Sequence, residues 1–145
     1  MNIPESIQTA LAEYHADWRH PRLEPFKFSG LYALHPEEPT AITVTADWPA
    51  TWPNNGRPGV YFIFGAEMQL SYIGKTFDFG WRLSQHFKWS EGRGKGVCQP
   101  QGTWKIRPMF LATLPVIESF EAPGLEEFLI SKLNPPDNRN GTQRN

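Results

Sequence analysis

Two strand-like segments separated by a short turn region restrict the fold more than any other feature of this sequence. The first covers residues 59–65, Gly-Val-Tyr-Phe-Ile-Phe-Gly, and the second covers 70–76, Leu-Ser-Tyr-Ile-Gly-Lys-Thr. Both are rich in β-branched and aromatic residues, and the four residues between them match the length of a hairpin connection. An antiparallel β-hairpin is therefore predicted at this point of the chain.

The elements around the hairpin complete a small α+β pattern. We predict an N-terminal helix over about 4–18, because its apolar residues recur at helical spacing and Asn2 with Glu5 resembles a capping box. Three more elements are predicted: a helix over about 79–89, a strand over about 104–114 and a helix over about 122–133 that ends before Pro135 and Pro136. The order favours a small antiparallel three-stranded sheet flanked by helices.

Between the first helix and the hairpin, residues 19–57 form an irregular segment with a short β-like stretch at 41–45 and a turn-rich stretch at 52–56. Phe26, Phe28 and Leu31 make it too apolar for a free linker. We therefore expect residues 1–56 to be a helix and an arm packed on a core of residues 57–138, followed by a flexible tail of residues 139–145.

Composition limits the class of protein. Of the 145 residues, 39% are hydrophobic, which is typical of a globular domain. The sequence contains neither an apolar run of about 18 residues nor a basic and apolar leader at its start, so a cytoplasmic protein without a membrane partner is expected. Cys98 is the only cysteine, which excludes an intrachain disulfide and a cysteine-based zinc site.

Charge is distributed unevenly although the formal net charge is only −1. Residues 1–58 carry 4 basic and 7 acidic side chains, residues 59–114 carry 7 and 3, and residues 115–145 carry 3 and 5. The middle of the chain is thus selectively basic, as a phosphate-binding surface would be. A solvated surface is the alternative interpretation of the same charges.

Five short motifs in this middle and C-terminal region resemble the GIY-YIG nuclease family in their order and spacing. They are Gly59-Val60-Tyr61, Tyr72-Ile73-Gly74, Arg82, His86, and the segment from Leu125-Glu126 to Pro135 and Asn138. Valine replaces isoleucine in the first motif, which is a swap of similar volume. The resemblance covers roughly residues 57–138 and implies a metal-dependent phosphodiesterase.

The helical wheels indicate which side chains share a site. On the first predicted core helix, Phe79, Leu83 and Phe87 face inward, while Arg82 and His86 lie one turn apart at the boundary. On the last helix, Leu125, Phe128, Leu129 and Leu133 form the buried stripe, with Glu126 at its edge and Glu127 facing water. Without the resemblance, a solvated glutamate and a structural histidine would be the alternatives.

The resemblance implies a role for each of these groups. Glu126 is expected to bind Mg²⁺ or Mn²⁺, since hard cations prefer oxygen ligands. Arg82 is expected to grip the phosphate through its planar fork, and Tyr61, aided by His86, to activate water.

Four further residues are expected to assist. Tyr72 should position the nucleophile or the phosphate, and Gly74 should permit close approach of a neighbouring group. Lys75 is an expected phosphate contact, and Asn138 is expected to support the end of the last helix.

A glycine-rich loop over 91–102 contains Gly92-Arg93-Gly94-Lys95-Gly96. A P-loop is excluded because Lys95 is not followed by serine or threonine, so no nucleotide cofactor is expected. Arg93 and Lys95 are instead predicted to hold backbone phosphates. Trp81, which the wheel turns outward, is the best of three candidates for stacking on bases, ahead of Trp89 and Trp104.

The sequence thus predicts an endonuclease that hydrolyses DNA and prefers single-stranded or unpaired substrates, with RNA as an open alternative. Two other interpretations remain at this stage. One is a non-cleaving nucleic-acid-binding or protein-interaction module on the same fold. The other is a site-specific homodimer that cuts duplex DNA.

Overall fold

The computed structural model describes residues 3–47, 54–89 and 98–138. Its elements, in chain order, are α1 (Glu5–Trp18), β1 (Gly30–Ala33), β2 (Ala46–Asp47), β3 (Gly59–Phe64), β4 (Leu70–Thr76), α2 (Phe79–His86), β5 (Phe87–Trp89), β6 (Cys98–Pro100), β7 (Phe110–Pro115) and α3 (Glu121–Leu133). Within these described residues, the helices are too short or too polar to cross a membrane.

One sheet of five strands, in the order β2-β1-β7-β3-β4, organises the chain. The predicted hairpin forms its β3 and β4 strands, and β7 pairs antiparallel with β3. These three strands and the flanking helices confirm the α+β class. The arm adds two strands that the sequence did not predict: β1 pairs antiparallel with β7, and β2 pairs parallel with β1.

The two faces of the sheet are buried beneath different elements. One, which we call the apolar face, presents strand residues that pack against α1 and α3: Val60, Phe62, Ile73, Ala112 and Leu114. The other, which we call the tyrosine face, presents Tyr61, Ile63, Tyr72 and Leu111 beneath α2, β5 and β6. Strand β3 is therefore buried on both faces, which explains why its residues 60–64 are continuously apolar or aromatic.

Three predicted elements have different bounds in the structure. The helix predicted over 79–89 ends at His86, because Phe87–Trp89 pairs with Cys98–Pro100 in a two-stranded ladder. Residues 98–100 therefore belong to a strand and not to the glycine-rich loop. The strand predicted over 104–114 begins only at Phe110.

The N-terminal arm also differs from the sequence prediction in detail. The α1 helix has Pro4 at its N-cap position without a side-chain cap hydrogen bond, and Asn2 of the predicted capping box lies outside the described residues. The β-like stretch 41–45 precedes the actual strand, but Thr45 does bond to Leu31 through both its backbone N–H and its hydroxyl. The arm is anchored on α3 by Arg19, whose Nε donates to Glu121 Oε2 at 2.7 Å.

Candidate active site

A cleft of about 550 Å³ lies beside edge strand β4, where α2 and α3 approach from opposite faces of the sheet. It gathers five of the residues that the sequence singled out for phosphate chemistry, namely Tyr61, Tyr72, Lys75, Arg82 and Glu126. Its remaining lining residues are Thr76, Phe77, Asp78, Trp81, Ser119, Ala122 and Pro123. The lining therefore combines polar and charged side chains with four apolar ones, Phe77, Trp81, Ala122 and Pro123, which we call the apolar wall.

Tyr61 and Tyr72 lie on the same sheet face, with ring centroids 6.1 Å apart. The register explains this, because Tyr61 pairs with Gly74 and Tyr72 pairs with Ile63. Gly74 is required by the ring of Tyr61 itself, since a Cβ at this position would lie 2.2 Å from Tyr61 Cζ. The close approach expected at Gly74 is thus made by a catalytic candidate of the same chain.

Helix α2 directs Arg82 and His86 toward the Tyr61 hydroxyl. Asp78 caps the start of the helix by accepting hydrogen bonds from the backbone N–H groups of Gly80 and Trp81. In the first turn of α2, Arg82 Nε donates to Tyr61 Oη at 3.3 Å. One helical turn later, His86 Nε2 lies 2.8 Å from the same oxygen. The Tyr61 oxygen is the point where the three side chains meet.

The electrostatics of this cluster determine which group holds the proton. Burial, and secondly the neighbouring Tyr72, raise the pKa of Tyr61 well above its ordinary range. Burial, and secondly the positive charge of Arg82, lower the pKa of His86 to about 4. At neutral pH, Tyr61 is therefore a neutral phenol that donates to the unprotonated Nε2 of His86 and accepts from Arg82.

Trp104, one of the three candidates for base stacking, instead belongs to this cluster. Its ring meets Tyr72 at 5.7 Å in a T-shaped contact and His86 at 6.0 Å. The indole N–H donates to the backbone oxygen of Gln101, which fixes the ring. Trp104 lies outside the motif spacing, so the sequence contained no signal for this packing role.

Glu126 enters the cleft from α3, at the edge of the buried stripe. Its side chain is 20% exposed and its Oε1 lies 3.8 Å from Lys75 Nζ. Glu127, one residue further on, is exposed. The wheel therefore separated the two glutamates correctly.

The chemistry of this carboxylate fits a hard divalent ion. Within the described residues, Glu126 is not part of a group of three or more His, Cys, Asp and Glu ligand atoms. Mg²⁺ suits such a place, because it commonly takes one or two protein carboxylates and completes its shell with water and phosphate oxygens.

Two exposed aromatic side chains form the rim of the apolar wall. Trp81 is 62% exposed and Phe77 is 73% exposed. Trp81 was predicted to face outward, whereas Phe77 was missed because a lone phenylalanine after a strand carries no distinctive signal. Arg93 and Lys95, the predicted phosphate contacts of the glycine-rich loop, lie outside the described residues.

Asn138 lies away from the cleft and supports it from behind. Its side-chain amide bonds both backbone groups of Ile73, with Nδ2 donating to the carbonyl at 2.8 Å and Oδ1 accepting from the N–H at 2.7 Å. The neighbouring Asp137, which the sequence analysis missed, accepts from Ser71 Oγ and from the backbone N–H of Lys105. Both residues hold β4 on either side of Tyr72.

Comparison with known proteins gives matches to the same region. Residues 57–140 match the family model described as the GIY-YIG catalytic domain. The chain is 34% identical over 84 residues to UvrABC system protein C of Ectopseudomonas mendocina (strain ymp), covering 58% of this chain and 13% of that protein. The same protein of Pseudomonas syringae pv. syringae (strain B728a) is 36% identical over 84 residues, with the same coverage.

A longer match, 32% identical over 99 residues, is to UvrABC system protein C of Pseudomonas paraeruginosa (strain DSM 24068 / PA7). It covers 68% of this chain and 15% of that protein. The chain therefore spans only a small part of these relatives. The matched residues 57–140 span the paired tyrosines, the arginine, the histidine and the glutamate described above, and this chain belongs to the GIY-YIG catalytic domain family.

Proposed function

We propose that this chain is a divalent-metal-dependent endonuclease that hydrolyses DNA phosphodiester bonds and prefers unpaired nucleotides. Membership in the GIY-YIG catalytic domain family supports the nuclease activity. The observation that carries the proposal is the convergence of Tyr61, Arg82 and Glu126 on one cleft, with His86 bonded to the Tyr61 hydroxyl from behind.

The cleft supplies groups for the non-bridging oxygens and for the leaving oxygen of the scissile phosphate. Arg82 and Lys75 provide positive charge for the non-bridging oxygens, and Arg82 adds a fixed fork that keeps its orientation through its bond to Tyr61. Glu126 would hold a divalent ion, and such an ion would supply charge neutralisation for the leaving oxygen. Tyr72 lies 6.1 Å from Tyr61, ring to ring, and its position suits a hydrogen bond to water or phosphate.

The hydrogen-bond directions define a proton path. Water attacks phosphorus and passes a proton to the Tyr61 oxygen, while the Tyr61 proton moves to Nε2 of His86, 2.8 Å away. The bond between phosphorus and the leaving oxygen breaks, and that oxygen takes a proton from solvent. Tyr61 remains a neutral phenol before and after this step, so its raised pKa is no obstacle.

Substrate binding makes His86 a better proton acceptor. The charge of Arg82 is one of the two causes that lower the His86 pKa, the first being burial. A phosphate bound to Arg82 offsets that charge and thereby raises the basicity of His86. The water-activating group is thus strengthened only when substrate is present.

The apolar wall supports a preference for unpaired nucleotides. Trp81 and Phe77 offer exposed ring faces beside the phosphate-binding side chains. Stacking on a base contributes about 1–3 kcal/mol, but the base must first leave the duplex stack. Single-stranded, bubble-containing or otherwise distorted DNA presents such bases without that cost.

Cleavage of matched oligonucleotides tests the proposal. Single-stranded, bubble and duplex substrates of one sequence are incubated with Mg²⁺, with Mn²⁺ or with excess chelator at one salt concentration, because phosphate contacts make affinity strongly salt-dependent. We expect metal-dependent cleavage that is fastest on the single-stranded and bubble substrates. RNA of the same sequence belongs in the series, because RNA is the alternative substrate that the sequence left open.

The substitution Trp81→Ala sharpens this test. It should lower cleavage of single-stranded DNA about 5- to 100-fold, in line with loss of one stacked base. Trp18→Ala is the matched control, since Trp18 is 71% exposed and lies outside the cleft. Equal cleavage by wild type and Trp81→Ala would remove the stacking proposal and leave the nuclease itself intact.

Two outcomes would replace the proposal. Binding of DNA without metal-dependent cleavage would show a non-cleaving module. Efficient cutting of plain duplex at a defined sequence, with single strands left whole, would indicate a site-specific enzyme that acts as a homodimer.

A further inference from the structure

A second group of ligand-type side chains lies in the turn that follows β1, outside the cleft. It consists of His35, Glu37 and Glu38, whose ligand atoms all lie within 4.8 Å of one another. A backbone hydrogen bond from Glu38 N to His35 O, 2.9 Å long, closes the turn and turns both carboxylates toward the ring.

The ring of His35 is buried, oriented and incompletely bonded. Its side chain is only 3% exposed, and Nε2 donates to the backbone oxygen of Pro108 at 3.1 Å. A carbonyl can only accept, so Nε2 carries a hydrogen and Nδ1 is left with a lone pair or a second proton. Within the described residues, Nδ1 is the one buried side-chain nitrogen or oxygen without a hydrogen-bond partner.

This arrangement calls for a cation. Nδ1 lies 3.5 Å from Glu37 Oε1 and 4.0 Å from Glu38 Oε2, so a buried ring nitrogen without a hydrogen-bond partner and two carboxylate oxygens border one space.

The spacing of the ligand atoms suits a small transition ion after a small inward movement of Glu38. An ion with tetrahedral bonds of about 2.1 Å separates its ligand atoms by about 3.4 Å, close to the 3.5 Å between His35 Nδ1 and Glu37 Oε1 and shorter than the 4.0 Å between His35 Nδ1 and Glu38 Oε2. Imidazole with carboxylates favours Zn²⁺ over Mg²⁺, which prefers oxygen ligands alone. The bonds from His35 to Pro108 and from Glu38 to Arg107 are the kind of outer contacts that orient metal ligands.

We propose that His35, Glu37 and Glu38 form a Zn²⁺ site that joins the arm to the segment before β7. Glu37 and Glu38 are 48% and 39% exposed at their side chains, so solvent supplies the remaining ligand. The site is structural, because it connects residues 35–38 to Arg107 and Pro108 and takes no part in lining the cleft.

Zinc titration of the full chain tests the proposal. Metal-free protein is titrated with Zn²⁺ against a chromophoric chelator, and thermal unfolding is followed with and without one equivalent. His35→Gln keeps an amide nitrogen near the position of Nε2 and removes Nδ1, whereas Glu37→Gln removes one charge at a half-exposed position. Each should weaken Zn²⁺ binding at least about tenfold and abolish the zinc-dependent rise in Tm.

The control is Glu67→Gln, an exposed glutamate in the β3–β4 turn, which should bind Zn²⁺ as the wild type does. Nitrogen NMR of the His35 ring adds a direct observation, since Nδ1 should lose any proton and shift when Zn²⁺ is added. Unchanged zinc affinity in Glu37→Gln would overturn the proposal. So would a His35 Nδ1 that stays protonated at saturating Zn²⁺, because the space would then hold an imidazolium paired with the carboxylates.

Discussion

The apolar face and the tyrosine face of the sheet are both buried, but they bury different chemistry. Beneath α1 and α3, strand β3 contributes Val60 and Phe62 to a wholly hydrophobic cluster. Beneath α2, the same strand contributes Tyr61, whose hydroxyl is bonded to Arg82 and His86. Polar groups can be buried there because they satisfy one another, whereas an unpaired one would cost about 1–3 kcal/mol. Stability and reactivity are therefore assigned to opposite sides of one strand.

The largest expected effect comes from a substitution in α3, the helix that contributes both to the stability of the apolar face and to the reactivity of the cleft. Glu126→Gln should lower metal-dependent cleavage on the order of 10³-fold or to background, because it removes the ligand charge. The free energy of unfolding should change little by comparison, since glutamine keeps the shape of the side chain and the ion pair with Lys75 is long and partly exposed. Cleavage rates and urea unfolding measure the two quantities.

Glu127→Gln is the matched control for this experiment, because it makes the same change on the exposed side of the same helix. It should leave cleavage and stability unchanged. Survival of cleavage in Glu126→Gln together with its loss in Glu127→Gln would contradict the assignment of Glu126 to the cleft.

The converse substitution is Phe62→Ala on the apolar face. Phe62 is fully buried and packs on Phe28 with ring centroids 5.3 Å apart. Its loss should lower the free energy of unfolding by about 3–5 kcal/mol, measured by urea denaturation. The folded fraction should retain its cleavage rate per molecule, and a large drop in that rate would show that the two faces are coupled.

Acid should weaken the tyrosine face selectively. The pKa of His86 in the folded chain, about 4, lies below the ordinary value of 6.5, so protons bind more strongly to the unfolded chain. This contribution, roughly 3 kcal/mol, is complete above about pH 6.5 and is lost as the pH falls toward 4. NMR titration of the His86 ring should show a midpoint near 4.

Removing the neighbouring charge refines that measurement. Arg82→Ala should raise the His86 midpoint only in part, because burial is the larger cause of the low pKa. A wild-type midpoint near 6.5 would show that the ring is solvated and not part of the buried cluster.

Arg82→Lys is expected to have the smallest effect of the series, lowering cleavage about 100-fold while leaving the fold intact. Lysine keeps the charge but loses the planar fork, and with it the bond from Nε to Tyr61. Cleavage rates at saturating metal measure the loss. If Arg82→Lys cleaved at the wild-type rate, Arg82 would contribute only its positive charge and not the geometry of its guanidinium group.

The parts of the site that follow local spacing could be predicted from the sequence. Helical periodicity separated Glu126 from Glu127 and placed Arg82 beside His86, and the hairpin register brought Tyr61 and Tyr72 to one face. Each of these depends on residues within a few positions of each other, or across one short turn. The family motifs have the same local character.

The parts that depend on distant pairing could not be predicted. Helix α2 stops at His86 because Phe87–Trp89 pairs with Cys98–Pro100. The glycine-rich sequence of residues 90–97 between them gives no sign of this pairing. Strand β1 of the arm pairs with β7, about 80 residues further along the chain. Trp104 reaches Tyr72 and His86 only through this tertiary arrangement.

The side-chain amide of Asn138 affects the tendency of folded molecules to associate with one another. Strand β4 is an edge strand, and such an edge normally offers free backbone groups as a template for strand addition and aggregation. Asn138 occupies the N–H and the carbonyl of Ile73, and Asp137 N–H occupies the carbonyl of Ser71. Asp137 and Asn138 therefore protect this part of the edge strand from pairing with another molecule. Local unfolding of the segment that contains them would expose the backbone groups of β4 beside the two tyrosines, so aggregation on mild heating should begin there.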